Sequence, residues 1–145
     1  MIIPTYRPDD INIQDKYGMS LLHNAITQRD TRLALSLIEN GIDCDLADDL
    51  GRTALHYAAS RNDYALSESL VLHGANVNAL DFYGNNPLWT VVLNPDSNMM
   101  IIKLLIEAGS DKNHKNKVGR SVVDAAIRAG DNDIIAAIGA RNTYS

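Results

Sequence analysis

Apolar and polar residues alternate along this chain in four cycles of nearly equal length. Each cycle opens on a polar residue and a glycine, runs through a short apolar stretch, and breaks at a polar cluster. A longer apolar stretch follows, closed in the first three cycles by a second glycine. Gly18, Gly51 and Gly84 fall 33 residues apart, as do Leu22, Leu55 and Leu88, and as do Gly41 and Gly74; Gly119, Val123 and Gly109 each arrive after 35. A fixed period of this size marks an array of small units that bury their apolar faces against one another. Such a stack offers a long exposed surface and rarely a closed pocket.

The pattern within a cycle predicts two helices. Ser20, Thr53, Asn86 and Ser121 each precede a short apolar stretch and can accept a hydrogen bond from a free helical N–H. They therefore start first helices at about 21–28, 54–61, 87–93 and 122–129. A second set of caps, Asp30, Asp63, Asp96 or Ser97, and Asp131, starts a longer second helix. There Leu33 and Leu37, Leu66 and Leu70, Ile101 and Leu105, and Ile134 and Ile138 lie four residues apart, giving one buried stripe. Gly41, Gly74 and Gly109 are expected to end these helices in the left-handed conformation, with Asn142 in the matching place of the fourth. The segments 42–52, 75–85 and 110–120 become hairpin-like fingers between units. The third unit holds two extra residues within Leu93–Asn98, where Asn94-Pro95 ends the first helix and lengthens the loop to the second.

Units begin at Asp15, Asp48, Asp81 and Asn116, and the second reads Asp48-Asp-Leu-Gly-Arg-Thr-Ala-Leu-His-Tyr-Ala-Ala59. Ser20-Leu-Leu-His-Asn-Ala25, Asn86-Pro-Leu-Trp-Thr-Val91 and Ser121-Val-Val-Asp-Ala-Ala126 stand at the same place in the others. The chain thus resembles the ankyrin repeat, with its T-P-L-H-x-A signature, over roughly residues 10–140. The resemblance implies an all-α solenoid of four helix-turn-helix repeats with hairpin-like fingers. Repeats are expected at 15–47, 48–80, 81–115 (with the insertion) and 116–145, after an N-terminal extension at 1–14. Within that extension, Asp10-Ile-Asn-Ile-Gln14 matches the tail of a unit, since Asn12 lies 33 residues before Asp45. The first ten residues and the polar Ala140–Ser145 are expected to cover the two ends of the stack. In the family, the motif histidine ties neighbouring loops together. His23 and His56 keep it, but Trp89 and Asp124 replace it, so the third and fourth units must be tied differently.

A net charge of −5 and a pI near 5.2 oppose binding to a phosphate backbone, so no nucleic-acid partner is expected. Cys44 is the only cysteine, which leaves no intramolecular disulfide and makes the cytoplasm the default location. The N-terminal residues lack the pattern of a secretory signal. No apolar run is long enough to span a membrane.

Candidate chemistry is thin. Dinucleotide, Walker, zinc-protease, dithiol and nucleophile-elbow motifs are absent from the sequence, and neither catalysis nor a cofactor is expected. His23 and His56 stand one repeat apart, too far to share a metal ion at about 2 Å each. Asp43, Asp45, Asp48 and Asp49 place acids as in a calcium loop, but the loop's glycine and closing glutamate are missing and Ala54 holds the last place. Cys44 stands where Ile11 and Val77 stand in other units, which makes it a small buried apolar residue. Asn78 occupies a place that resembles asparagine-hydroxylation sites of some eukaryotic ankyrin proteins; a finger-stabilising role is the plainer reading.

The resemblance implies that a protein partner binds along the finger tips and the outward side of the first helices. Those are the second, third and fifth residues of each unit. Taken from these positions as candidates are Tyr17, Met19, Asp49, Leu50, Arg52, Phe82, Tyr83, Val118 and Arg120, with Tyr57 at the open side of a first helix. The third position is apolar every time, although finger tips face water, and aromatic residues anchor interfaces. The alternative is that each tip packs on its neighbouring finger. Charge is uneven as well: residues 1–80 hold 6 Lys/Arg and 11 Asp/Glu, whereas residues 81–145 hold 7 and 7. A strip acidic at one end and basic at the other would orient a partner of opposite polarity. The expected protein is a non-enzymatic monomer that occludes or neutralises one protein partner. Small acidic ankyrin chains in bacteria are similar to immunity proteins that block a cognate toxin. The competing expectation is a scaffold or host-directed adaptor joining two partners.

Overall fold

The computed structural model describes residues 8–94, 96 and 98–139. After a single turn, α1 (Pro8–Ile11), the helices come in four pairs: α2 (Leu21–Thr27) with α3 (Thr31–Glu39), α4 (Ala54–Ser60) with α5 (Tyr64–Leu72), α6 (Pro87–Val92) with α7 (Met99–Glu107), and α8 (Val122–Ala129) with α9 (Asn132–Ala137). Among the described residues there is no strand, only an isolated antiparallel bridge between Gln14 and Ser20.

The first helices α2, α4, α6 and α8 pack side by side as one layer, and α3, α5, α7 and α9 form a second layer behind them. The core is the seam between these layers. Leu22, Leu55 and Leu88 fill it from the first helices, and Leu37, Leu66, Leu70, Ile101, Leu105, Ile134 and Ile138 fill it from the second. Leu33, expected in that stripe, is only partly buried. Alanines at 25, 58, 59 and 126 sit fully inside, so the short first helices approach one another closely.

The four first-helix caps stand where the sequence put them: the side chains of Ser20, Asn86 and Ser121 accept the N–H three residues on. Asp30, Asp63 and Asp131 cap the second helices in the same way. In the third unit the cap is neither Asp96 nor Ser97 but Asn98, whose side chain accepts the Met100 N–H at 2.9 Å. The insertion moves the helix start. Asp96 instead turns its carbonyl to Asn62 Nδ2 at 2.8 Å, and Asn94 Nδ2 donates to the Ser60 carbonyl at 3.0 Å, tying the long loop back onto the preceding unit. Ser97 and Pro95 lie outside the described residues, as do Asn142, most of the proposed N-terminal cover and the 140–145 tail. The left-handed position after the last helix belongs to Gly139 (φ 70°), because α9 ends at Ala137.

Each finger is held by one repeated set of bonds. The side chain of the unit's first residue accepts two backbone N–H groups: Asp48 Oδ1 takes those of Leu50 and Arg52, and Asp81 Oδ1 takes those of Tyr83 and Asn85. Asp15 and Asn116 do the same in the first and last fingers. Successive fingers then join backbone to backbone: Asp49 N–H donates to the Tyr17 carbonyl, Phe82 N–H to Leu50 and Lys117 N–H to Tyr83, at 2.9, 2.7 and 3.0 Å. Such closeness explains the repeating glycine. A Cβ on Gly51 would stand 3.0 Å from the Phe82 nitrogen, and its φ of 75° disfavours a side chain in any case.

Candidate functional site

With tip backbones committed to the next finger, tip side chains project outward. Tyr17, Leu50, Phe82, Tyr83 and Val118 are 43% to 77% exposed. They make up half of the ten large apolar residues exposed among the described ones. Lys16 lies over the Tyr17 ring at 5.1 Å, and Lys117 lies over Phe82 at 4.3 Å. Phe82 and Tyr83 meet edge to face, with ring centroids 5.7 Å apart. These contacts orient the rings without burying them.

Other positions on the strip are more deeply built in. Met19 and Arg52 are half-buried, and Asp49 and Arg120 are exposed. Tyr57 is half-buried; its hydroxyl donates to Asp48 Oδ2 and its ring stands edge-on to His23 at 5.3 Å. Burial, and then the Asp48 carboxylate, push the Tyr57 hydroxyl up to about 12, so it remains a donor.

The histidines do structural work. His23 Nδ1 faces the backbone N–H and hydroxyl of Ser20, and its Nε2 reaches the Arg52 carbonyl of the next finger at 2.8 Å. His56 repeats the arrangement with Thr53 and the Asn85 carbonyl at 2.9 Å. Burial lowers the His56 pKa below its usual value and so favours the neutral ring, and the Thr53 N–H donated to Nδ1 leaves Nε2–H as the donor. Trp89 lacks the second ring nitrogen that accepts the cap N–H in this arrangement. The third unit is tied instead by Asn86 Nδ2 to the Asp111 carbonyl and by Asn116 Nδ2 to Asn85 Oδ1, both at 2.9 Å. Asp124 turns inward on its own cap, taking the Ser121 N–H at 2.9 Å, and this bond holds its carboxyl below the usual range.

The acidic finger is part of the same scaffold. Asp43 N–H donates to Asn12, Asp45 Oδ1 accepts the Asn76 N–H, and Asn78 Oδ1 accepts the Asp111 N–H, forming a ladder from unit to unit. Asn78 Nδ2 also donates to the Gly109 carbonyl at 3.1 Å. Asp43 and Asp48 spend oxygens on their own turns. Cys44 is buried, and burial, followed by the charges of Asp45 and Asp43, pushes its thiol up to about 11, so little of it is a nucleophilic thiolate at neutral pH.

One feature of the strip escaped the sequence reading. A groove of about 360 Å³ opens between the second and third units, lined among others by Arg52, Tyr57, Tyr83, Trp89, Leu93 and Asn94. Trp89 is half-buried along one side of it, and Leu93 stands 54% exposed at the end of α6. A signal was there to find: the positions equivalent to Leu93 are Thr27, Ser60 and Arg128, all polar.

No helix among the described residues is long and apolar enough to cross a membrane. Among curated proteins, none matches this sequence. A family model described as ankyrin repeats (3 copies) matches residues 2–81, more than half of the chain. With the paired helices, stacked fingers and histidine ties in place, the chain belongs to the ankyrin repeat family, whose members serve in general as protein–protein interaction modules.

Proposed function

We propose that this chain is a non-enzymatic blocker, which occludes one specific protein partner through its finger tips and the open side of its first helices. The observation that carries this reading is the division of labour at the tips. Backbones of Tyr17, Leu50 and Tyr83 accept the bonds that hold neighbouring fingers together, while their side chains remain in solvent. Apolar side chains kept in water at every repeat gain energy only when another surface covers them. In its sharpest form the proposal is an immunity protein that neutralises a cognate bacterial toxin.

The test is capture of the partner from the native cell, followed by activity measurements on that partner. A blocker forms a one-to-one complex and abolishes the partner's activity, and the fourfold variant Tyr17→Ala, Leu50→Ala, Phe82→Ala, Tyr83→Ala loses both effects. An adaptor instead holds two different proteins at once and leaves both active. That outcome would replace the proposal.

A further inference from the structure

The groove between the second and third units narrows the partner's chemistry, on the premise that the strip is the binding surface. Its apolar lining comes from Tyr57, Tyr83, Trp89 and Leu93. Two of these depart from the repeat: Trp89 stands where His23 and His56 tie fingers, and Leu93 stands where the other units carry polar residues. The backbone does not use Trp89 as a tie, since Asn85 and Asn86 make the inter-finger bonds around it. Trp89 also borders a narrow cleft on its far side, shared with Arg120 and Asn116, so it forms a ridge between two hollows.

Charge around this ridge runs against that of the molecule. Arg52 lines one wall of the groove, Arg120 stands beyond the ridge, and Lys117 lies over Phe82 beside Tyr83. The carboxylates nearest Arg52 brace the fingers and keep their charge. Asp81 accepts two backbone N–H groups, and Asp48 accepts two more and the Tyr57 hydroxyl. With Asp49 exposed on the same finger as Arg52, that side of the groove is balanced, whereas the last finger carries Lys117 and Arg120 with Asn116 in the place of Asp48 and Asp81, a cationic edge on a chain whose net charge is −5. An acidic segment is repelled by most of this protein and accepted here.

We infer that the groove takes a bulky apolar side chain from an acidic segment of the partner, with Asp or Glu residues beside the anchor toward Lys117 and Arg120. Trp89 is the only tryptophan in the chain, so its emission reports occupancy directly.

The experiment selects from a displayed library of random, tryptophan-free 12-residue peptides and titrates the selected peptides against Trp89 fluorescence. Expected are peptides with Leu, Ile or Phe beside acidic residues, which shift the emission saturably. Their affinity should fall roughly tenfold for Leu93→Ser and for the Lys117→Glu, Arg120→Glu pair, as for loss of an interface anchor. Leu93→Ser installs the residue found at the equivalent Ser60, and its unchanged melting temperature verifies the fold. Enrichment of Lys- or Arg-rich peptides, or affinity indifferent to both variants, would overturn the inference, as would a library that yields no binder sensitive to Leu93→Ser. If a captured partner is lost with the fourfold tip variant but bound normally by Leu93→Ser, the groove assignment fails while the blocker reading stands. If neither variant matters to it, both fail.

Discussion

At single positions, the same residue type does different work according to which of its atoms the fold uses. Tyr57 and Tyr83 are both on the strip, yet Tyr57 is pinned by Asp48 and His23, whereas Tyr83 gives the fold its carbonyl and leaves its ring half in water. Tyr83→Ala should therefore cost about 2 kcal/mol or more of partner affinity and leave the melting temperature nearly unchanged; an equal loss of stability would mean the ring is packing material. His56 carries a pH prediction. Its folded pKa lies below the unfolded value near 6.5 because burial disfavours the charged ring. The stability this represents is complete above the unfolded pKa and is lost as pH falls through the folded one. Thermal melts at pH 7.5 and pH 5 should show wild type losing more stability on acidification than His56→Gln, which begins less stable but has no ring there to protonate. A parallel fall in both proteins would contradict the assignment.

At the level of helices and fingers, the repeated requirements were legible in the sequence and the exceptions were not. Ser20, Thr53, Asn86 and Ser121 announce helix starts because a free backbone N–H needs the same partner in every unit. Asn98 was missed because the insertion in the third unit breaks the register that made Asp30 and Asp63 readable. Gly139 was missed because α9 is shorter than its counterparts. The groove was missed for a related reason: Trp89 and Leu93 matter as departures from the period, and a periodic reading attends to what recurs. Two substitutions test the element scale. Leu70, fully buried between the layers, should cost about 2–5 kcal/mol of stability when cut to Ala; a near-zero effect in denaturant melts would refute the packing. Gly51→Ala should destabilise by more than about 1 kcal/mol, since a left-handed residue gains a side chain and a backbone contact at once. A neutral result would show that the fingers are not packed so closely.

Taken whole, the molecule separates its two tasks by layer. The second helices and the inner sides of the first supply most of the core's large aliphatic residues, and the finger ladder uses Asp43, Asp45 and Asp48 as braces. Those aspartates brace the fingers and keep their negative charge, while the last finger turn, 116–120, carries Lys117 and Arg120 without a carboxylate. The apolar residues left exposed in every repeat lie along the finger tips. Hydrogen–deuterium exchange on the complex with the captured partner reads this most directly. The account predicts slowed exchange at the finger turns 15–19, 48–52, 81–85 and 116–120 and in α4 and α6, with α3, α5 and α7 unchanged. Protection confined to α3, α5 and α7, with the finger tips exchanging as in the free chain, would contradict it.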